Sequence, residues 1–510
     1  MLTGAGVLAF AVYGYTLAPT ITWRHYGSDS GDLAAAVAVG GVPHPPGYPT
    51  YLLLGDLFQF LPFGDVAYRL NLLSATCAAL TVVIVGSIIQ QVVATASPDP
   101  SASSSTLFSN TLGFCAVSAA LLLAFSASFW SQAVITEVYA LNVFLAALLL
   151  YASLRVHPPN QAWLAPATFG LLGLSLGNHL SICFLAPALI GNLRVRWNRQ
   201  LALTIPLAFF VGLTVYGVIP LRAAGLPPIN WGAVTDRASF GWLVGGALYR
   251  HFLFALPPAY LPMRILGALQ LLLQSFQWWG GVVGGIGWQF LAQRHPAAAY
   301  GSLASFGLFA AYAIGYNTTD SMVYLLPALL IFALWLGWGL YHLSSLGQAY
   351  LVKKWGYSSN LLRGVLLLLP LISLGLNFSQ QDLRKDLEAY DYAQETLQQV
   401  EPEAIIIADN DPQTFALWYG RYGLGLRSDV AIINSNLLFY DWYRQILRRY
   451  HPRLRLEDEQ GQPLTDLASF VTYNFKSGPI YLAFLERSQL NNYAVEPAGP
   501  VQRVQSTLSD

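Results

Sequence analysis

Apolar runs alternate with short polar breaks along three quarters of the chain. They lie at 2–19, 68–93, 110–128, 133–153, 200–220, 265–292, 297–316, 321–342 and 362–380. Roughly 20 apolar residues is the length that crosses a bilayer as a helix. The stretch 162–192 is too long for one ordinary span, and Gly177-Asn178-His179 interrupts it. It reads as two short helices meeting near one face, or as a re-entrant pair. The pattern changes near residue 381. Beyond it, 404–408, 430–433 and 480–484 read as buried strands, and 412–420 and 440–450 as helices. Alternating strands and helices predict a compact α/β unit. The tail 494–510 is expected to be poorly ordered, and Ser/Pro-rich 96–106 reads as a flexible loop.

Basic residues orient the spans, because cytoplasmic loops carry the Lys/Arg excess. Arg155, Arg194, Arg196, Arg199, Arg294, Lys353 and Lys354 all fall on one side if 162–192 crosses twice. The total is then eleven crossings. The loops 20–67, 221–264 and 317–320 and everything after 380 fall on the opposite, outer face. Arg24 and Arg222 also fall there, so the rule holds as a bias. Two domains follow: a membrane domain over 1–380, with the outer loop 20–67, and a soluble α/β domain over 381–510.

Composition agrees with a polytopic all-α membrane protein. Of 510 residues, 55% are hydrophobic and 10% charged, against about 25% charged in soluble proteins. The 26 basic and 26 acidic residues cancel, which argues against nucleic acid as a partner. Cys77, Cys115 and Cys183 lie in apolar segments, too dispersed for a metal site. Met1–Ala18 lacks a basic leader segment and reads as a retained first helix.

The candidate chemistry lies at the outer helix ends. Asp29 and Asp32 are spaced i, i+3 at the start of a predicted helix. They suit N-capping, and equally a general base or a metal ligand. Pro43-His44-Pro45-Pro46-Gly47-Tyr48-Pro49 is rigid and holds His44 and Tyr48; it reads as a functional turn or as a plain return into the membrane. Glu137 follows Trp130-Ser131-Gln132 near the outer start of an apolar helix, where an ionisable group usually faces a polar cavity. His179 breaks a hydrophobic run. Arg222 follows the span 200–220, and a guanidinium there suits a phosphate, although Arg also snorkels. Phe240–Phe254 is predicted to be a helix along the interface, carrying Tyr249, Arg250 and His251. P-loop, HExxH, CxxC, GxSxG and Rossmann signatures are absent.

Five motifs in order carry a resemblance: Asp29-Ser30-Gly31-Asp32; His44-Pro45-Pro46-Gly47-Tyr48-Pro49; Trp130-Ser131-Gln132 with Glu137-Val138-Tyr139; Gly177-Asn178-His179; and Pro220-Leu221-Arg222 with Asn230-Trp231-Gly232. Over about residues 10–260 they resemble a family of bacterial and animal multi-pass membrane proteins that includes an animal secretory-pathway protein O-mannosyltransferase. The resemblance implies the GT-C glycosyltransferase fold, with a long first outer loop bearing an acidic motif. It also implies a polyprenyl phosphate-linked sugar donor used on the non-cytoplasmic side.

On that reading Asp29 is the general base for a hydroxyl acceptor, with Asp32 in reserve. Arg222 stabilises the departing phosphate, helped by His44 and His179 as hydrogen-bond donors. Glu137 binds sugar hydroxyls or orients the base. Tyr48 and Asn230 belong to the donor site with the His44–Pro49 turn. A single displacement inverts the anomeric centre. The partners are the donor lipid, a protein, lipid or glycan hydroxyl, and membrane lipid. No cofactor is implied, and a divalent metal stays open. The expected location is a bacterial inner membrane, with the site facing the periplasm. A lipid or solute transporter is the alternative, although transporters place charges near mid-membrane and show repeats. A non-catalytic scaffold for the C-terminal domain is a third reading.

Overall fold

A computed structural model describes residues 1–96, 106–158, 160–355, 359–484, 490 and 493–506. The expected loop at 96–106 lies almost wholly outside the described residues. Among the described residues, five helices are long and apolar enough to cross a membrane: Val66–Ala94, Arg199–Ala223, Pro296–Gly315, Ser321–Gly347 and Asn360–Gln381. A sixth span results if Asn110–Ala124 and Ala127–Ala133, bent by 69°, count as one. Leu2–Thr16, Tyr139–Arg155 and Leu180–Asn192 are apolar but shorter than a full span. Length and hydropathy therefore carry five or six spans, and they do not reach eleven. The shortening has a local cause. The chain leaves helical geometry around Val134–Val138 and Gly177–His179, where Glu137 and His179 project.

Small residues let the bundle close. A Cβ on Gly287 would sit 1.7 Å from the Trp335 carbonyl oxygen, and one on Gly339 would sit 2.0 Å from that of Val283. Backbone contact of this kind replaces the hydrophobic drive that lipid does not supply between helices.

The C-terminal part carries the expected α/β pattern. Strands β1 (Ile405–Ala408), β2 (Ala431–Asn434) and β3 (Ile480–Leu482) pair in parallel, with β1 central. Both faces are covered, so β1 and β2 read as continuous apolar runs. Helices Asp411–Trp418 and Asp441–Tyr450 match the two predicted ones. The tail departs from expectation. β4 (Tyr493–Ala498) and β5 (Val501–Ser506) form an antiparallel hairpin that joins β3, giving the order β2-β1-β3-β5-β4. Gly499, in the left-handed region at φ +64°, turns the chain, and Val501 and Val504 bury into the core.

This α/β part does not stand apart from the outer loop. Ile21, Leu33–Val37 and Tyr51 share one hydrophobic cluster with Ile405–Ala408, Phe415 and Trp418. Helix Ser30–Ala38 crosses Asp411–Trp418 so closely that a Cβ on Gly31 would lie 2.4 Å from the Phe415 carbonyl oxygen. The Trp23 indole donates to the Pro412 carbonyl at 3.1 Å, and Thr22 hydrogen-bonds Asp386. The predicted interfacial helix Phe240–Phe254 is broken: Arg237–Val244 ends at Gly245-Gly246, and a 3-10 turn, Ala247–Phe252, follows. The Gly-Gly pair supplies the break, since Gly246 adopts φ +59°.

Candidate functional site

The helix ends and the α/β part enclose a cavity of about 560 Å³ at the acidic end of the bundle. Asp29, His44, Tyr48, Glu137 and His179 line it, together with Tyr249, Arg250, Asp320, Tyr324 and Asp411. Five of the eight site residues expected from sequence thus meet on one surface, brought together from four separate segments.

The cavity is built around His44. Its backbone N–H donates to Asp32 Oδ2 at 2.9 Å, and its Nδ1 stands 2.8 Å from the same oxygen. The other oxygen of Asp32 accepts the Trp231 indole N–H at 3.1 Å. The Asp32 side chain is 0% exposed, whereas that of Asp29 is 33% exposed. Asp29 faces His44 Nε2 at 3.4 Å, and the Tyr48 hydroxyl lies 3.1 Å from that nitrogen. Tyr48, in left-handed geometry at φ 43°, caps helix Pro49–Phe58 and turns its ring back onto the imidazole. Phe415 stacks on the imidazole at 6.2 Å between ring centres, with 13° between the planes.

These neighbours set the charges. Burial opposes charge on His44, but Asp29 and Asp32 outweigh it and raise the imidazole to about 9. It is therefore an imidazolium at neutral pH. Burial raises Asp29 to about 6; His44 offsets part of this, and Asp411, Asp320 and Asp32 add to it. Asp411 is likewise raised by burial. The pair is a cation beside a carboxylate that holds its proton more tightly than usual.

Around this pair stand further polar groups. Glu137 is buried, and its Oε1 has no hydrogen-bond partner among the described residues. An unpaired buried oxygen is costly unless a ligand completes it. His179 Nδ1 accepts the Ser181 backbone N–H at 3.2 Å, which leaves the ring proton on Nε2. The His179 ring packs against Tyr139 and Tyr324 at 5.9 and 5.5 Å. Among the described residues, no group of three or more His, Cys, Asp or Glu is placed to hold a metal ion.

The described fold covers 98% of a crystal structure of ArnT from Cupriavidus metallidurans in the apo state, counted on this chain, and 96% of that chain, with TM-score 0.60 and 11% identity. The same protein bound to undecaprenyl phosphate aligns with TM-score 0.57 over the same shares at 11% identity. Residues 29–201 match the protein O-mannosyl-transferase TMEM260 N-terminal domain, and 389–452 match TMEM260-associated domain 2. The chain thus has the fold of ArnT and carries two regions that match TMEM260 domains. Mouse protein O-mannosyl-transferase TMEM260 is 24% identical over 509 residues, covering 92% of this chain and 68% of the mouse protein.

Three of the expected residues stand away from the cavity. Asp32 is sealed beneath His44, and both of its oxygens are hydrogen-bonded. Arg222 turns aside, pairing with Asp56 and donating to the Gly41 carbonyl at 3.2 Å. Its helix, Val218–Ala223, lies behind the His44 turn. Asn230 is buried and donates to the Ala223 carbonyl at 3.2 Å. Its neighbours bridge Val42: the Val42 N–H donates to Ile229 at 3.0 Å, and the Trp231 N–H donates to Val42 at 3.1 Å. That bridge sets Trp231 under Asp32.

The cation that does line the cavity is Arg250, held by the Gly245 carbonyl at 2.9 Å. Two acids were not singled out from sequence. Asp320 begins the turn Ser321–Leu325. Asp411 opens the helix that Asn410 caps, with its side chain accepting the Gln413 N–H at 3.1 Å. The Asn-Asp-Pro run was a readable helix start, but nothing local linked it to residue 44.

Proposed function

We propose that the enzyme moves a sugar from a polyprenyl phosphate-linked donor to a hydroxyl acceptor, with Asp29 as general base and inversion at the anomeric carbon. The observation that carries this is the placement of Asp29 beside His44 on the cavity wall, with the carboxylate partly open and the imidazolium fixed behind it. The acceptor oxygen attacks the anomeric carbon as Asp29 takes its proton. The bond from that carbon to the phosphate oxygen breaks, and polyprenyl phosphate leaves with the bonding pair. His44 and Arg250 offset the charge that develops on the phosphate. Glu137 and the Nε2–H of His179 bind sugar hydroxyls.

The mouse relative's description supports mannose as the sugar and a protein hydroxyl as the acceptor. The ArnT complex with undecaprenyl phosphate supports the lipid class of the donor. For domain organisation, we take 1–380 as the transferase unit and 381–510 as an acceptor-side unit sealed onto its outer loop. The acidic cavity faces the periplasm or lumen, and the end bearing Arg155, Arg194 and Arg294 faces the cytoplasm. A bacterial inner membrane is the setting this reading favours.

The test uses purified enzyme, a panel of polyprenyl phosphate sugars and the Asp29→Asn variant. Loss of general-base catalysis lowers turnover by roughly 10²–10⁴-fold. Unchanged transfer by the variant rejects Asp29 as the base.

A further inference from the structure

A second cavity, of about 340 Å³, lies at the opposite, basic end of the bundle and shares no lining residue with the first. Its polar end is formed by Arg194, Arg294, His157 and His295. Most of the remainder is apolar, with Leu150, Leu291, Trp335 and Trp338 among its walls beside Gln91, Asn192 and Ser302. One end is cationic and the other oily, which is the outline of an amphiphile's site.

Arg194, Arg294 and His295 share one hydrogen-bonding sense toward the cavity. An arginine has donors only, so Arg194 Nη2, 3.0 Å from His295 Nδ1, donates to it. His295 then carries its proton on Nε2. That atom is buried and has no partner among the described residues. Burial, Arg194 and Arg294 all lower the His295 pKa, so the ring stays neutral in this tautomer. Trp338 is 4% exposed, and its indole N–H likewise has no acceptor. The cavity thus offers two guanidinium groups and two unpaired N–H donors. An anion that only accepts, with an apolar tail, suits this lining, and among membrane components that is a phospholipid phosphodiester.

We propose that this cavity binds the phosphate headgroup of an anionic phospholipid from the adjoining leaflet, with one acyl chain along the Trp335–Trp338 wall. The site is distinct from the donor cavity and does not depend on the catalytic reading. Its occupant ties six helical segments together near the basic face: Val66–Ala96, Tyr139–Arg155, Ala186–Asn192, Leu261–Arg294, Pro296–Gly315 and Leu326–Trp355.

Delipidated enzyme in neutral detergent is titrated separately with phosphatidylglycerol, phosphatidylcholine and a polyprenyl phosphate. Retained lipid is read by native mass spectrometry and unfolding by Tm. Phosphatidylglycerol is expected to be retained and to raise Tm, and phosphatidylcholine to do neither. Arg194→Gln should weaken phosphatidylglycerol binding roughly fivefold, and Arg194→Gln with Arg294→Gln roughly 25-fold, at about one headgroup-facing charge each. Transfer at saturating donor should be unchanged. Equal retention of phosphatidylcholine, or phosphatidylglycerol binding that ignores both substitutions, overturns the proposal. So does a loss confined to the polyprenyl phosphate, which would make this a second donor-lipid site. If the double variant does not fold, Arg194→Gln alone decides, because that side chain is exposed.

Discussion

Asp32 takes the Nδ1 side of His44 at 2.8 Å and is wholly shut off from the cavity, while Asp29 holds the Nε2 side at its edge. One imidazole therefore separates two aspartates three residues apart into a positioning group and a candidate base.

Asp32→Ala leaves the Nδ1 side of the His44 cation and the Trp231 N–H unpaired in the interior. Removing one member of a buried pair costs about 3–5 kcal/mol. A large fall in Tm is expected for Asp32→Ala, and a small one for Asp29→Asn, whose side chain already meets the cavity. Similar thermal shifts in the two variants would contradict this division.

The rate should follow pH in two limbs. A base works deprotonated, and Asp29 is raised to about 6, so kcat/KM rises as pH climbs through that value. His44 is raised to about 9 and loses its charge above it, so the rate falls there. The stability sign follows the same raised value. The His44 contribution is complete below about 6.5 and fades as pH rises through about 9. A Tm series across that window checks it, and a Tm that climbs instead would refute it.

Asp411 adds negative charge beside Asp29 and helps hold its pKa up. Asp411→Asn should move the acid limb of the rate profile to lower pH while leaving the basic limb identifiable. A merely structural role for Asp411 would lower the amplitude without moving that limb.

The two arginines should respond differently. Arg250→Gln removes a cation from the cavity wall and raises the donor KM roughly ten- to hundredfold, the size of one or two units of charged hydrogen bonding. Arg222→Gln breaks a partly exposed pair with Asp56. That costs on the order of 1 kcal/mol of stability and leaves the donor KM unaltered. A donor KM raised by Arg222→Gln would return that residue to the site.

The motif-bearing residues were legible because each breaks a local rule. Glu137 and His179 interrupt apolar runs, and His44 sits in a turn whose prolines cannot continue a helix. The strands β1 and β2 were legible as short apolar runs. Asp411 was not, because its place beside His44 depends on packing between segments hundreds of positions apart. Arg222 misled because a guanidinium at a span end looks the same whether it faces a ligand or Asp56. The β4–β5 hairpin was missed because the edge strand β4 buries no residue and in β5 only Val501 and Val504 point inward.

The close crossing at Gly31 and Phe415 sets an order on biosynthesis. The outer loop leaves the ribosome about 380 residues before the helix that roofs His44. Until that helix docks, Asp29 and His44 stand in open water, their mutual attraction is diluted, and the chamber has no lid. The chamber is thus incomplete until Asp411–Trp418 has folded back onto the outer loop.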